Sequence, residues 1–207
     1  DDREKSQKIN AFVKDKIKFA LDGRQKKASE TLSDGKGSCG NKTNLSMALH
    51  RAVGIPVRCR EVKVTGKARV VSYVRKNIKE QFPDVVFPFL RIHIIGEAYI
   101  NRDWIKFDVT RDKGLEQGMD ALGMLGELEP VSEGIDHASI DKIPETKLDS
   151  VLSQAVNAQI ERIREAGRKT EKVFKPEEAG FGSGTPQINQ GPDASQVQSL
   201  CRMMVDY

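Results

Sequence analysis

The order of hydrophobic periodicities along the chain is the feature that most constrains its fold. Apolar residues recur at helical spacing in the segments 6–20 and 40–53, which a polar, glycine-rich stretch separates. Further along, the pattern changes to alternation at 57–64, 91–100 and 104–109, which is typical of strands. The chain is therefore predicted to begin with helices and to continue with strands.

The last two of these strands are predicted to form a hairpin, because Asn101 and Arg102 can supply a two-residue turn between them. Two other segments have weaker patterns. A strand or loop is predicted around Arg69–Val74, and irregular structure is predicted for residues 114–145.

The strongest helical pattern lies in residues 147–170, where apolar side chains line one face and Thr146 and Asp149 match a capping box. Beyond it, residues 175–193 are rich in proline and glycine, a composition that buries too little apolar surface to order itself alone. We interpret residues 171–207 as a tail, or as a strap over the domain.

Composition and charge narrow the class of protein. The 207 residues include 34 Lys and Arg against 30 Asp and Glu, a net charge of +4 that is spread along the chain. Without a clustered basic stripe, a nucleic-acid partner is not favoured. No apolar run approaches the roughly 18–20 residues that span a bilayer, so a soluble protein with no membrane partner is expected. The odd number of cysteines and the lack of a signal-peptide pattern favour a reducing compartment, and we expect a cytoplasmic location.

Neither a metal nor a cofactor is predicted. The three histidines and three cysteines lack the HExxH and CxxC spacings of metal sites. Gly35, Gly37 and Gly40 match a dinucleotide fingerprint, but that motif needs a buried strand directly before it, and residues 28–34 are polar. Nucleotide binding stays an alternative, and the favoured interpretation is that these glycines simply lead into the helix at 40–53.

Cys39 lies at the entry of that helix, which makes it a candidate nucleophile. The first backbone N–H groups of a helix have no partner within the helix, and the helix dipole adds positive potential. Both effects stabilise a thiolate over a thiol, and the same N–H groups could hold a developing oxyanion. The alternative is a buried, inert thiol, which is the commoner fate of a lone cysteine.

A nucleophilic cysteine needs a base, and the chain offers three histidines. His50 is excluded because it lies eleven residues along the same helix, about 16 Å from Cys39 by helical rise. His137, in a loop-like stretch, stays open. His93 on the strand 91–100 is the favoured base, although a lone histidine on a strand is more often structural.

Asp108 is the candidate partner of His93. If Ile100 pairs with Asp103 across the two-residue turn, Asp108 falls opposite Ile95, on the same face as His93 and diagonal to it. A register slip of one residue would place the two side chains on opposite faces. The alternative role for Asp108 is to cap the turn at the end of its strand.

Three segments of the chain resemble the motifs of one family. Gly37-Ser38-Cys39-Gly40-Asn41-Lys42-Thr43, with the residues up to Arg58 that follow it, resembles the cysteine segment of transglutaminase-like proteins. The segments His93–Tyr99 and Trp104–Thr110 are similar to the histidine and aspartate strands of that family. The motifs occur in the family's order and span about residues 8–112.

The resemblance implies a papain-like α+β fold, in which a nucleophile helix packs on an antiparallel β-sheet. It implies a catalytic core, which we assign to residues 1–125. Outside the resemblance, we expect a helical C-terminal extension packing on the core at 126–170 and a Gly/Pro-rich tail at 171–207. No acidic loop matches the calcium sites of animal transglutaminases, so no metal is implied.

The same resemblance implies roles for three residues. Cys39 corresponds to the nucleophile, His93 to the general base and acid, and Asp108 to the carboxylate that orients it. The implied activity is thiol-dependent acyl transfer on a peptide, amide or thioester substrate, through an acyl-cysteine that water or an amine resolves. Ile94, Ile95 and Val109 depart from the family's pattern and bear on substrate shape. The alternative is an inactive member that binds protein or nucleic-acid partners.

Overall fold

Helices dominate the first quarter of the protein. The computed structural model of the protein describes residues 1–22, 25–63, 69–83, 92–124, 135–137 and 150–173. The first helices are α1 (Asp2–Lys16), α2 (Ala28–Asp34) and α3 (Cys39–Ala52). The Asp1 side chain caps α1 by accepting from the N–H of Glu4 at 2.7 Å. The helix predicted at 40–53 is confirmed to within one residue.

The helix predicted at 6–20 ends earlier than expected, for a tertiary reason. The N–H groups of Lys18 and Ala20 donate to the carbonyls of Gly35 and Gly37, at 2.9 and 3.0 Å. This pairing draws the chain out of the helix into β1 (Lys18–Phe19), which lies parallel to β2 (Lys36–Gly37).

The glycine-rich segment serves as the connection into α3. Gly35 ends α2 in the left-handed region with φ 62°, a conformation that glycine adopts without strain. At Gly37 a Cβ would lie 2.9 Å from the Cβ of Asn41, so a side chain there would push into α3. The element before the glycines is a helix, whereas a dinucleotide fingerprint needs a buried strand.

A four-stranded antiparallel sheet follows, in the order β5-β4-β3-β6. Its strands are β3 (Val57–Lys63), β4 (Ile92–Ile100), β5 (Asp103–Phe107) and β6 (Ile135–His137). The predicted hairpin is confirmed, since Ile100 pairs with Asp103. Asn101 and Arg102 have positive φ angles of 54° and 71°, the conformation of a two-residue turn that matches strand twist.

Helix α3 packs on one face of this sheet. The shared core contains Met47 from α3, Cys59 from β3, and Ile94 and Ala98 from β4. A helix packed on an antiparallel sheet confirms the α+β fold class.

Two segments that were predicted to be a strand or loop and irregular structure are helices in the structure. Helix α4 (Arg69–Ile78) stands where a strand or loop was expected, and it buries Val74 and Ile78 against the last helix. Its run of β-branched residues misled the prediction, because packing overrides local propensity. Helix α5 (Lys113–Ala121) lies within the stretch expected to be irregular, begins at the side-chain cap of Asp112, and carries glycines that mask its pattern.

Helix α6 (Ser150–Val173) corresponds to the helix predicted at 147–170. Its buried face forms a core with α4 and α5, and its members are Leu152, Val156, Ile160 and Ile163. The expected capping residues Thr146 and Asp149 lie outside the described residues, as do residues 174–207 of the expected tail. Residues 171–173, which were also assigned to the tail, belong to α6. No helix in the described segments is long and apolar enough to cross a membrane.

A buried ion pair ties α6 to the first half of the chain. Arg164 donates through Nη2 to Asp112 Oδ2 at 2.6 Å and to the carbonyl of Phe19 at 2.7 Å. Asp112 Oδ2 also accepts from the N–H of Phe19 at 2.7 Å. The side chains of Arg164 and Asp112 are only 4% and 7% exposed, so each charge depends on the other for compensation.

Helices α5 and α6 cross at a contact that only glycine permits. A Cβ on Gly118 would lie 1.9 Å from the carbonyl oxygen of Ile163, and one on Gly167 would lie 2.6 Å from the amide nitrogen of Gly118. The two backbones therefore touch directly at this crossing.

We expect Gly118→Ala to lower the free energy of unfolding by about 1–3 kcal/mol, because the helices must move apart to admit the methyl group. Gly114→Ala in the same helix is the control: its Cβ would meet nothing nearer than 3.5 Å. The control should be neutral or more stable by up to about 1 kcal/mol, as alanine favours helix. Urea denaturation followed by circular dichroism measures both. A Gly118→Ala midpoint equal to that of wild type would contradict the close crossing.

Candidate active site

Cys39 is the first residue of α3. It lies beside the part of β4 that is not paired with β5. Ile100, Ala98 and Gly96 pair with β5, and by alternation the N–H and C=O of Ile94 face the same way. Strand β5 ends at Phe107, so the ladder does not reach Ile94. The beginning of α3 occupies the vacated position.

The backbone of Ile94 is bonded by α3 instead. The Thr43 hydroxyl donates to the Ile94 carbonyl at 3.2 Å, and the Ile94 N–H hydrogen-bonds the Cys39 sulfur. A buried strand edge with unpaired polar groups is costly, so this replacement fixes where α3 begins relative to the sheet. The Ser38 side chain caps the helix by accepting from the N–H of Asn41 at 3.4 Å.

His93 and Asp108 meet as the register predicted. His93 Nε2 lies 2.8 Å from Asp108 Oδ2, and Asp108 Oδ1 accepts from the N–H of Thr110 at 2.9 Å. The second ring nitrogen of His93 is left for Cys39, to which the imidazole is hydrogen-bonded. The structure thus brings all three candidate residues together.

The pKa values of all three side chains are shifted in the direction that favours their charged forms. Burial alone would raise the pKa of the Cys39 thiol, but the hydrogen bond and charge of His93 outweigh burial and lower it. Burial would lower the pKa of His93, yet the hydrogen bonds to Asp108 and Cys39 raise it to about 10. Despite burial, His93 and the Thr110 N–H hold the pKa of Asp108 well below its usual range. The lowered pKa of Cys39 and the raised pKa of His93 both favour a thiolate beside an imidazolium over the neutral pair.

The other two histidines, His50 and His137, have different surroundings from His93. His50 is fully buried, its Nδ1 lies 2.7 Å from the carbonyl of Ser46, and its Nε2 lies 2.8 Å from the Ser6 hydroxyl. Burial lowers the pKa of His50, and its ring stacks on Phe107 with centroids 5.0 Å apart. His137 lies on β6 and pairs with Cys59 across the ladder.

Lys42 is a residue at the site that the sequence analysis did not single out. Its side chain is fully buried, and Nζ donates to the carbonyls of Ile17 at 2.6 Å and Thr110 at 3.0 Å. Because the N–H of Thr110 in turn binds Asp108, Lys42 links the nucleophile helix to the carboxylate. Its spacing of three residues from Cys39 places it one helical turn inward, and a lysine facing a core is the signal that could have revealed it.

Within the described segments, no cluster of three or more His, Cys, Asp and Glu side chains could hold a metal ion. The groups assembled around Cys39 are a thiol, an imidazole and a carboxylate. This set can form and resolve a covalent bond to an acyl carbon.

The fold is papain-like: a cysteine begins a helix that packs on an antiparallel sheet, a strand of the sheet carries the histidine, and the aspartate follows the end of the neighbouring strand. The chain belongs to the transglutaminase-like superfamily, whose sequence profile matches residues 1–109. That range contains Cys39, His93 and Asp108.

One solved structure is similar to this chain, a "putative cysteine protease" from Cytophaga hutchinsonii. The two share 20% sequence identity with a TM-score of 0.41, over 68% of this chain and 38% of that one. This chain therefore spans well under half of that protein's length. None of the curated proteins compared with this chain matches it.

We expect iodoacetamide to modify Cys39 well below pH 8, because the His93 imidazolium stabilises the thiolate. In His93→Ala the hydrogen bond and the charge of His93 are lost while the burial remains, so the pKa of Cys39 should rise. The modification rate at pH 6 should then fall at least about tenfold. Peptide mass spectrometry across pH 5–10 measures the rates. Fully buried Cys59 is the internal comparison, and an unchanged pH profile in His93→Ala would refute the ion pair.

Lys42→Met should destabilise the fold and slow the alkylation of Cys39. It leaves two buried carbonyls without a donor, at about 1–3 kcal/mol each, and frees the loop that holds Asp108. Lys14→Met is the control, because it breaks only a half-exposed ion pair with Glu116 and should cost less than about 1 kcal/mol. Equal effects of the two substitutions on stability and alkylation would show that Lys42 does not position Asp108.

The pH dependence of stability gives a second test of Lys42. Burial lowers the pKa of Lys42 from 10.5 to about 8 in the folded protein. Between these values the unfolded chain binds more protons, so this group makes the free energy of unfolding rise with pH. The difference in free energy of unfolding between wild type and Lys42→Met should therefore grow from pH 8 to pH 10. A pH-independent difference would contradict the buried position.

Proposed function

We propose that this protein is a thiol-dependent acyl-transfer enzyme with Cys39, His93 and Asp108 as its catalytic residues. It attacks an amide or thioester and forms an acyl-cysteine that water or an amine resolves. The observation that carries the proposal is the unbroken hydrogen-bonded chain from Cys39 through His93 to Asp108.

The proposed first step forms a thioester. The Cys39 thiolate attacks the carbonyl carbon, and backbone N–H groups at the start of α3 stabilise the oxyanion. Collapse of the tetrahedral intermediate expels the amine or thiol, which takes its proton from the His93 imidazolium. Asp108 keeps the imidazole oriented and favours its protonated form before that transfer.

The proposed second step reverses these roles. Neutral His93 takes a proton from water or an amine, which attacks the thioester carbon. The Cys39–carbonyl bond breaks, the thiolate leaves, and the thiolate–imidazolium pair is restored. Water yields an acid, as in an amidase or peptidase, and an amine yields a new amide, as in a transglutaminase. The alternative of an inactive binding module leaves the hydrogen-bonded chain without a use.

The acyl-cysteine is the species that tests this proposal. We expect a short peptide thioester to add its acyl group to the full chain, detected by intact mass and mapped to Cys39. Cys39→Ala should show no adduct, and Cys59→Ala, which changes a cysteine outside the proposed machinery, should keep it. Hydroxylamine should release the acyl group as a hydroxamate.

Turnover of amide or thioester substrates that persists in Cys39→Ala would overturn the proposal. So would an adduct that forms equally in wild type and His93→Ala at pH 6, because His93 would then contribute nothing to the thiolate. Comparing the products formed with and without an added primary amine distinguishes hydrolysis from transfer.

A further inference from the structure

Arg164 is a buried cation whose guanidinium uses all three of its nitrogens. It lies in α6, outside the residues 1–109 that match the family profile, and its side chain is only 4% exposed. Nε and Nη2 donate to Asp112, and Nη1 donates to Glu161, one turn earlier on the same helix. A buried ion pair often stabilises a fold no better than apolar side chains of the same volume. The stability of the fold alone therefore does not account for this arginine.

The first group that Arg164 holds is the segment that follows Asp108. Its Nε lies 3.2 Å from Asp112 Oδ1, and its Nη2 lies 2.6 Å from Asp112 Oδ2. Two parallel hydrogen bonds from one guanidinium fix the orientation of a carboxylate as well as its position. Asp112 Oδ1 also accepts from the N–H of Leu115 at 3.0 Å, so the same carboxylate caps α5. Asp112 is therefore fixed, four residues from the Asp108 that binds His93.

The second group that the ion pair holds is the segment that precedes Cys39. The guanidinium donates through Nη2 to the carbonyl of Phe19 at 2.7 Å, and the N–H of Phe19 donates to the carboxylate at 2.7 Å. Both backbone groups of Phe19 are thus bonded by the ion pair. The next residue, Ala20, donates its N–H to the carbonyl of Gly37 at 3.0 Å, and Gly37 lies two residues before Cys39.

The ion pair therefore joins the two segments between which His93 is held. Cys39 hydrogen-bonds the His93 imidazole on one side and Asp108 on the other, with 2.8 Å between Nε2 and Oδ2. Hydrogen bonds weaken steeply as their geometry departs from the optimum, so a small shift of either segment would weaken this chain. The alternative is that the ion pair only fastens α6 to the core. An attachment of α6 alone would need no bonds to the carbonyl and N–H of Phe19.

We propose that Arg164 is a positioning residue of the active site, acting through Asp112 and the backbone of Phe19 on the segments that carry Asp108 and Cys39. Helix α6 is then part of the catalytic unit, although it lies outside the residues that match the family profile. This inference rests on the proposed function, because the geometry that Arg164 sets serves acyl transfer. Arg164 is assigned no contact with the substrate, so its loss should slow the chemical step without weakening substrate binding.

Single-turnover acylation of Cys39 in the full chain by a peptide thioester tests this role. Arg164→Lys keeps the positive charge but has a single nitrogen, which does not reproduce the fork that binds both carboxylate oxygens and Phe19. We expect the maximal rate of acyl-Cys39 formation to fall about tenfold, while the thioester concentration that gives half of this rate stays within about twofold. Asp112→Asn should cause a similar loss, and combining the two substitutions should add little, because both break the same link.

Two control variants separate positioning from a general loss of stability. Val156→Ala, about two turns before Arg164 on the buried face of α6, leaves a cavity and should lower the urea midpoint without changing the maximal rate. Arg162→Lys makes the same substitution at an exposed position of α6 and should change neither quantity. Rates are expressed per folded molecule, with the folded fraction taken from circular dichroism, and Asp112→Asn carries the test if Arg164→Lys does not fold.

Alkylation of Cys39 by iodoacetamide tests the role of Arg164 without an acyl substrate. If Arg164 positions Asp108 and Cys39, the pH profile of alkylation in Arg164→Lys should shift upward, towards that of His93→Ala. Absence of acyl-Cys39 in the wild-type chain would refute the proposed function, and the alkylation profile would still decide the role of Arg164.

Three results would overturn the inference. The first is an alkylation profile and a maximal acylation rate in Arg164→Lys that equal those of wild type. The second is an equal fall of the maximal rate in Val156→Ala, which would make the effect one of stability alone. The third is a rise in the half-saturating thioester concentration with an unchanged maximal rate, which would place Arg164 in substrate binding.

Discussion

Strand β5 leaves the sheet at Phe107, and the site is built around that departure. Had the ladder continued, the backbone of Ile94 would have paired within the sheet. Instead its carbonyl and N–H bind Thr43 and Cys39 of α3. The buried backbone groups at this strand edge need hydrogen-bond partners, and this need determines where the helix begins relative to the sheet. The same departure frees the chain after Phe107 to turn Asp108 towards His93.

Two buried cations hold the segment that follows β5, residues 108–112, in place. Lys42 binds the carbonyl of Thr110, and Arg164 binds Asp112. Asp108 begins this segment and takes its second hydrogen bond from the N–H of Thr110. Each of these charges would be costly to bury alone. Removing Lys42 or Arg164 would therefore leave a buried polar group without its hydrogen-bond partner. The C-terminal helix α6 is therefore linked mechanically to the strand end that carries Asp108.

Much of the local structure followed from the sequence because it depends on neighbours in the chain. The turn at Asn101 and Arg102 set the register, and the register placed Asp108 on the face of His93. The start of α3 followed from the glycines that lead into it, and the structure adds the side-chain cap at Ser38. By contrast, α4 and α5 were missed, because α4 is rich in β-branched residues and α5 contains glycines. Their helices are stabilised by packing against α6, which no local pattern records.

Lys42 shows the same limit at the level of a single side chain. A lysine three residues after the cysteine was visible in the sequence, but its acceptors, Ile17 and Thr110, are 25 and 68 residues away. The sequence by itself determined the order of helices and strands, the hairpin register and the three candidate residues, since these depend on spacing and short-range turn chemistry. Only the tertiary structure decided which backbone groups Lys42, Thr43 and Arg164 would satisfy. Those partners are distant in sequence, and the need to pair buried polar groups acts only after the elements have packed.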